Sequence, residues 1–201
     1  DGRVKTLHPL IFGPVLARRT AEHQRQLDEF HAGKIDLVII NFYPFEEALE
    51  AGSGDLDAML EKIDIGGPAL VRAAAKNFQD TLVLVDDKDY ERVAAAVQAG
   101  ADIPIEERRR LAQKAFAYTS FYDSLVAGFL AAGAPEPPEF LSLAGRRVRA
   151  LRYGENPHQS AFLAVRDRRS PFQAIDQLHG KELSFNNILD LAMAYELLNE
   201  F

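Results

Sequence analysis

The chain has 201 residues, 47% of them apolar and 26% charged, the proportions of an ordinary globular protein, which exclude collagen-like, coiled-coil and largely disordered classes. Its 23 Lys and Arg against 30 Asp and Glu leave a formal charge of −7, which argues against a sequence-independent nucleic-acid binder. There is no cysteine, which removes disulfides, thiolate metal sites and a Cys nucleophile. The five histidines form no HxH or HxxxH pair, so no metal is expected. The apolar runs, such as LVIINFYPF, are too short for a bilayer span, and no signal segment opens the chain. A soluble, cytoplasmic enzyme acting on small molecules, with no membrane or nucleic-acid partner, is the expectation.

In chain order, residues 9–32 read as helical, with Thr20 a plausible N-cap and Gly33 a plausible stop. Ile35 to Phe42 is a continuous apolar run ended by Pro44, the pattern of a buried parallel strand. Short helices are expected over 45–51 and 55–63, separated by the GSG of residues 52–54. Pro68 suits the first position of an Ala-rich helix running to Lys76. Thr81 to Val85 reads as a second buried strand, and Asp89 to Gln98 as a helix closed by Gly100. This alternation predicts an α/β layered domain with a parallel sheet. Residues 104–132 form one long helix with apolar positions Leu111, Ala115, Tyr118, Tyr122, Leu125 and Phe129. That stripe serves either core packing or a subunit interface. The GAPEPPE of residues 133–139 is the clearest linker. A turn-rich segment at 152–159, a strand at AFLAV and a helix from about Asn187 follow. Domains are expected over 1–135 and 151–201, joined by a linker at 136–150.

Four segments carry residues suited to chemistry. Asn41 and Tyr43 follow the first strand, where α/β sheets place ligands; Tyr43 reads equally as a half-buried aromatic with its hydroxyl in solvent. Gly66 and Gly67 open a helix, so their N–H groups suit an anion or a developing oxyanion. Asp64 beside them is a candidate base. Arg72 and Lys76 stand at i and i+4, a like-charge pair that costs a few tenths of a kcal/mol unless an anion faces it. An ordinary helix with solvated cations has the same appearance. Arg3, Lys5 and Thr6 in the opening loop suit a phosphorylated ligand, as they suit a solvated basic loop. Arg152, Tyr153 and His158 crowd the last turn-rich segment.

Taken together, DGRVKTLHP, NFYPF, IDIGGPALVRAAAKN, RYGENPHQ and LSFNN resemble, in order and spacing, the bifunctional purine-biosynthesis enzymes that combine IMP cyclohydrolase with AICAR formyltransferase. The resemblance runs from Asp1 to Phe201. It implies a methylglyoxal-synthase-like parallel sheet flanked by helices, followed by the start of a second α/β domain. It implies closure of the formylated ribonucleotide FAICAR to IMP without a cofactor. In the whole protein it implies formyl transfer from 10-formyltetrahydrofolate to AICAR, and a homodimer. Carried over by motif, Lys5, Tyr43, Asp64 and Lys76 are the cyclohydrolase residues. Arg3 and Thr6 hold the nucleotide, with Asn41, Gly66, Gly67 and Arg72 lining the site. Arg152, Tyr153, His158 and Asn187 match AICAR-binding positions. One departure lies after the His8-Pro9 pair, where Phe12 and Pro14 stand in a stretch that usually holds His and Gly.

Both ends look cut, so the chain is expected to be an internal piece lacking an opening strand, a phosphate-binding segment, and the formyltransferase's catalytic pair and folate site. A methylglyoxal-synthase-type lyase and a non-catalytic nucleotide-sensing domain are the alternatives on the same fold. The lyase needs an Asp/His proton-abstraction site that is not visible. The sensing domain predicts loss of the Lys5, Tyr43, Asp64, Lys76 set.

Overall fold

A computed structural model describes residues 6–52, 55–136 and 138–201. The chain divides into two units, Asp1–Ser142 and Leu143–Phe201.

The first unit opens with α1 (Pro9–Leu16) and α2 (Ala21–Glu29), within the stretch 9–32 that the sequence reads as helical with Thr20 as an N-cap. The break has a specific cause. Asn77 Nδ2 donates to the carbonyls of Val15 at 2.9 Å and Ala17 at 3.1 Å. These are the orphan acceptors at the end of α1, and a buried side chain from elsewhere in the fold satisfies them. Thr20 then caps α2 by accepting from the His23 N–H, as expected. The end of α2 differs from the expectation at Gly33. The left-handed residue is His31, at φ 51°. The Ala32 N–H reaches the Leu27 carbonyl at 2.9 Å and the His31 N–H reaches Asp28 at 3.1 Å, a Schellman pattern.

Strands β1 (Leu37–Ile39) and β2 (Leu82–Leu84) pair in parallel, Leu37 opposite Leu82 and Ile39 opposite Leu84. The expected eight-residue first strand is therefore only three residues long. It is also buried on one face only: Val38 is buried while Ile39 is 50% exposed. All three residues of β2 are buried. Between the strands lie α3 (Phe45–Glu50), α4 (Leu56–Leu60) and α5 (Gly66–Lys76). Residues 53 and 54 of the GSG fall outside the described residues. Pro68 is the third residue of α5, not the first, because Gly66 and Gly67 are already helical. A proline is still tolerated there, since the first-turn N–H groups have no intrahelical partner.

After β2, a 3-10 turn (Asp87–Asp89) leads into α6 (Tyr90–Gln98) and then α7 (Ile105–Leu130). Leu82, Leu84, Val93, Ile103 and Leu111 form a buried apolar cluster. On α7, Leu111, Ala115, Tyr122 and Leu125 are all buried within this unit. The periodic stripe therefore serves packing, and burial of four large or tightly packed positions leaves little of it for another subunit.

An ionic network ties α7 to the turn before α6. Asp89 accepts from Arg110 Nη2 at 2.7 Å, Lys114 Nζ at 2.6 Å and Arg92 Nη2 at 3.1 Å. Lys114 also meets Asp86, and Glu107 pairs with Arg110 and Arg92. Burial alone raises the Asp89 pKa, but the hydrogen bonds from Lys114, Arg110 and Arg92 win and hold it at about 2 against an ordinary 3.8. Because the folded value lies below the unfolded one, the stabilisation is present in full above pH 4 and is lost as pH falls through about 2. Allowing for solvent screening of the half-exposed cations, the group contributes about 1–2 kcal/mol. Denaturant unfolding followed between pH 7 and pH 2 shows this acid-side loss, and Asp89→Asn flattens it.

The second unit pairs β3 (Arg146–Leu151) with β4 (Ala161–Val165) in antiparallel fashion. Strand β3 occupies the end of the stretch read from sequence as linker, where a basic run hides its strand character. A 3-10 turn (Pro171–Ala174) and α8 (Phe185–Asn199) follow. Ser184 caps α8 in a capping box with Asn187. Among the described residues, no helix is long and apolar enough to cross a membrane.

Candidate active site

The loop after β1 and the N-terminus of α5 meet over a recess of about 1270 Å³. Thr6, Asn41, Tyr43, Asp64, Gly66 and Gly67 all line it. These six come from three separate stretches of sequence. The recess lies past the carboxyl end of β1, where parallel α/β sheets gather ligand-binding groups.

Asp64 is the organising group. Its Oδ1 accepts the Gly67 N–H at 2.8 Å, and its Oδ2 faces the Tyr43 N–H at 3.4 Å. The carboxylate thus takes one orphan donor of α5 and holds the Tyr43 loop against it. Gly67 lacks a side chain because the carboxylate occupies the space a Cβ would need. At Gly66, a Cβ would come within 2.6 Å of Thr6 Oγ1. The pair of glycines therefore allows Thr6 and Asp64 to approach the helix start from two sides. This alters one expectation: the Gly67 N–H already serves Asp64 and is not a free oxyanion donor.

Asn41 is oriented by Tyr90, whose hydroxyl donates to Asn41 Oδ1 at 2.8 Å. The Tyr43 side chain is half exposed at the recess. Asp64 is also held from behind. Its backbone N–H donates to the Tyr122 hydroxyl at 2.7 Å. The sequence places Tyr122 in a packing stripe, with no signal of a second task.

Two expected members are not brought to this recess. A rise of about 1.5 Å per residue sets Lys76 about 15 Å along the α5 axis from Gly66. It lines a different hollow of about 630 Å³, together with Arg72, Arg109 and Phe116. Arg72 turns towards α7, its guanidinium 5.5 Å from the centre of the Phe116 ring. The i, i+4 spacing is real, but a helix carries successive turns away from a site at its N-terminus. Arg3 and Lys5 lie outside the described residues.

In the second unit, Arg152 packs on Tyr153, and Ser184 lies between Tyr153 and Asn187. The Arg152 guanidinium stacks 4.8 Å from the centre of the Tyr153 ring and donates to its hydroxyl at 3.2 Å. Hydrogen bonding with Ser184, then with Arg152, lowers the Tyr153 pKa. Asn187 Oδ1 accepts from the Ser184 hydroxyl at 2.9 Å and the Ser184 N–H at 3.0 Å. Part of its hydrogen-bonding capacity is thus used in capping α8. His158 is exposed on the turn closed by Gly154 N–H to the Gln159 carbonyl, 2.8 Å.

The fold and recess define a mixed α/β protein with a ligand-sized site at the end of a parallel strand. A solved structure described as that of ForH matches it with a TM-score of 0.58 and 36% identity, covering 68% of this chain and 70% of that one. Residues 74–201 match the family model described as the AICARFT/IMPCHase bienzyme, and the chain belongs to this family. It is 47% identical over its full length to the bifunctional purine biosynthesis protein PurH of Acetivibrio thermocellus. It is 51% identical, again over its full length, to the protein of the same name from Chloroflexus aurantiacus. The chain spans 40% of the first of these relatives and 38% of the second.

Proposed function

We propose that the recess between the β1 loop and α5 is the site at which FAICAR closes to IMP with loss of water, and that the chain works in de novo purine biosynthesis. The observation that carries this reading is the convergence of Thr6, Asn41, Tyr43, Asp64, Gly66 and Gly67 on one recess in a chain of the bienzyme family. Family membership supports cyclisation over a lyase or a nucleotide-sensing role. The methylglyoxal-synthase-like arrangement of the first unit, a homodimer and a cytoplasmic location belong to the same proposal. So do domains over 1–135 and 151–201 with a linker between them.

In the reaction, the carboxamide nitrogen attacks the formyl carbon, forming the new C–N bond and leaving a negative oxygen. Both partners hang on one imidazole ring, so the substrate itself meets much of the entropic cost. Asp64 stands ready to take the proton from the attacking nitrogen. Tyr43 donates to the developing oxyanion, and that oxygen leaves as water once protonated. That oxygen takes up two protons in all, one given up by the attacking carboxamide nitrogen and one by the formamide N–H, and loss of the second forms the C=N bond that completes the new six-membered ring. Arg3, Thr6 and Asn41 orient the nucleotide, and Lys5 stands with Tyr43 and Asp64 among the catalytic residues of this reading. Lys76, carried over as a catalytic residue, and Arg72 line the separate hollow along α5, and no step is assigned to them.

Formyl transfer to AICAR by the longer protein takes its one-carbon unit from 10-formyltetrahydrofolate. Arg152, Tyr153, His158 and Asn187 are the AICAR-binding residues of this reading, and the Ser184 link between Tyr153 and Asn187 supports it.

Tyr43→Phe tests the oxyanion role. Loss of one such donor costs about 100- to 1000-fold in kcat. Because the oxyanion exists only along the reaction path, kcat falls while KM holds. FAICAR cyclisation followed by absorbance in the full-length enzyme gives both constants. An unchanged kcat removes Tyr43 from the mechanism.

A further inference from the structure

Tyr122 is a buried residue whose hydroxyl reaches the site from behind. Its oxygen accepts the Asp64 N–H at 2.7 Å and lies 3.4 Å from the Lys62 carbonyl, to which it donates. Its ring packs edge-on against Phe42 at 5.1 Å between centres and against Phe45 at 6.0 Å. Phe42 is stacked on its other contact with Tyr118 at 4.7 Å, and Phe45 meets Phe129 at 5.7 Å. Phe42 immediately precedes Tyr43. One residue of α7 therefore touches both loops of the site: the one bearing Asp64 through its hydroxyl, and the one bearing Tyr43 through its ring.

We infer that Tyr122 is a positioning residue for the cyclisation, setting the spacing between Asp64 and Tyr43 without touching substrate. This inference rests on the reading of the recess as the cyclisation site. The physical basis is the sensitivity of a proton transfer to sub-ångström placement. Asp64 is partly buried on a short loop, and the Gly67 contact holds its carboxylate rather than its backbone. The Tyr122 hydroxyl fixes that backbone from the core side. Burial raises the Tyr122 pKa, which keeps the phenol protonated and able to bridge both loop groups. The aromatic packing on Phe42 and Phe45 prevents the ring from following the loop if the loop moves.

Tyr122→Phe keeps the ring and removes only the hydroxyl. In the full-length enzyme kcat falls about tenfold or more while KM changes less than twofold, since a misplaced base slows the step without removing a substrate contact. Combined with Asp64→Asn, the second change adds little, because there is no longer a base to position. Amide exchange gives an independent measurement. The Asp64 N–H exchanges slowly in the wild type and at least tenfold faster in Tyr122→Phe. A Tyr122→Phe enzyme with unchanged kcat, or a loss that multiplies fully with that of Asp64→Asn, overturns the inference. So does an Asp64 N–H that exchanges freely in the wild type, a result that needs no variant to fold. If Asp64→Asn itself retains full activity, the reading of the recess fails first. If Asp64→Asn is inactive and Tyr122→Phe is not impaired, only the positioning role fails.

Discussion

Asp64→Asn lowers kcat for FAICAR cyclisation by about two to three orders of magnitude, the scale of a lost general base. The substitution is nearly isosteric. The amide oxygen still accepts the Gly67 N–H that Asp64 Oδ1 takes at 2.8 Å, so the start of α5 keeps its cap. The weaker contact, Oδ2 to the Tyr43 N–H at 3.4 Å, is replaced by an amide N–H facing another N–H. That mismatch is long and cheap to relax. What disappears is the basicity needed to take a proton from the attacking nitrogen. The melting temperature therefore stays close to the wild type while turnover collapses. A steady-state assay paired with a thermal melt separates the two effects. Wild-type turnover in Asp64→Asn removes the carboxylate from the chemistry.

Gly67→Ala gives the second large loss, with an opposite effect on the helix. Gly67 has no positive φ, so alanine is allowed by the backbone and suits a helix better than glycine. The new methyl group, however, falls on the Asp64 carboxylate. That carboxylate is tied to the N–H of the same residue, so it has to swing away and lose its anchor. Displacing a base by about an ångström costs about 100-fold in rate. The expected result is an enzyme about as stable as the wild type, the gain from alanine in the helix offset by the lost Asp64 cap, with kcat reduced about 100-fold. At Gly66 the added methyl meets the end of the Thr6 side chain, which can rotate, so Gly66→Ala loses less. Parallel kcat and melting measurements on the two alanine variants test this order. Equal activities, or a greater loss at Gly66, contradict the placement of Asp64 against Gly67.

Local pattern in the sequence determined several features outright. The apolar run before Asn41 and the TLVLV stretch each contribute three residues to the paired strands, because β-branched apolar runs favour the sheet. Thr20 caps its helix because hydroxyl capping is decided within three residues. The stripe on α7 was legible because a 3.6-residue period is a property of the chain alone. The motifs around Tyr43, Asp64 and the Gly-Gly pair, separate in the sequence, come together on one recess. What the sequence could not supply was distance. Arg72 and Lys76 look attached to the Gly-Gly motif in the linear text, yet each helical turn carries them about 5 Å further from it. The break after α1 depends on Asn77, some sixty positions on, reaching back to two carbonyls. The Gly67 N–H is occupied by Asp64 only because the loop folds over the helix start. Tyr122 was visible as a buried aromatic but not as the group holding Asp64. Its hydroxyl meets that N–H through the packing of α7 on the rest of the fold, and a contact between residues so far apart in sequence is settled only when the tertiary structure closes.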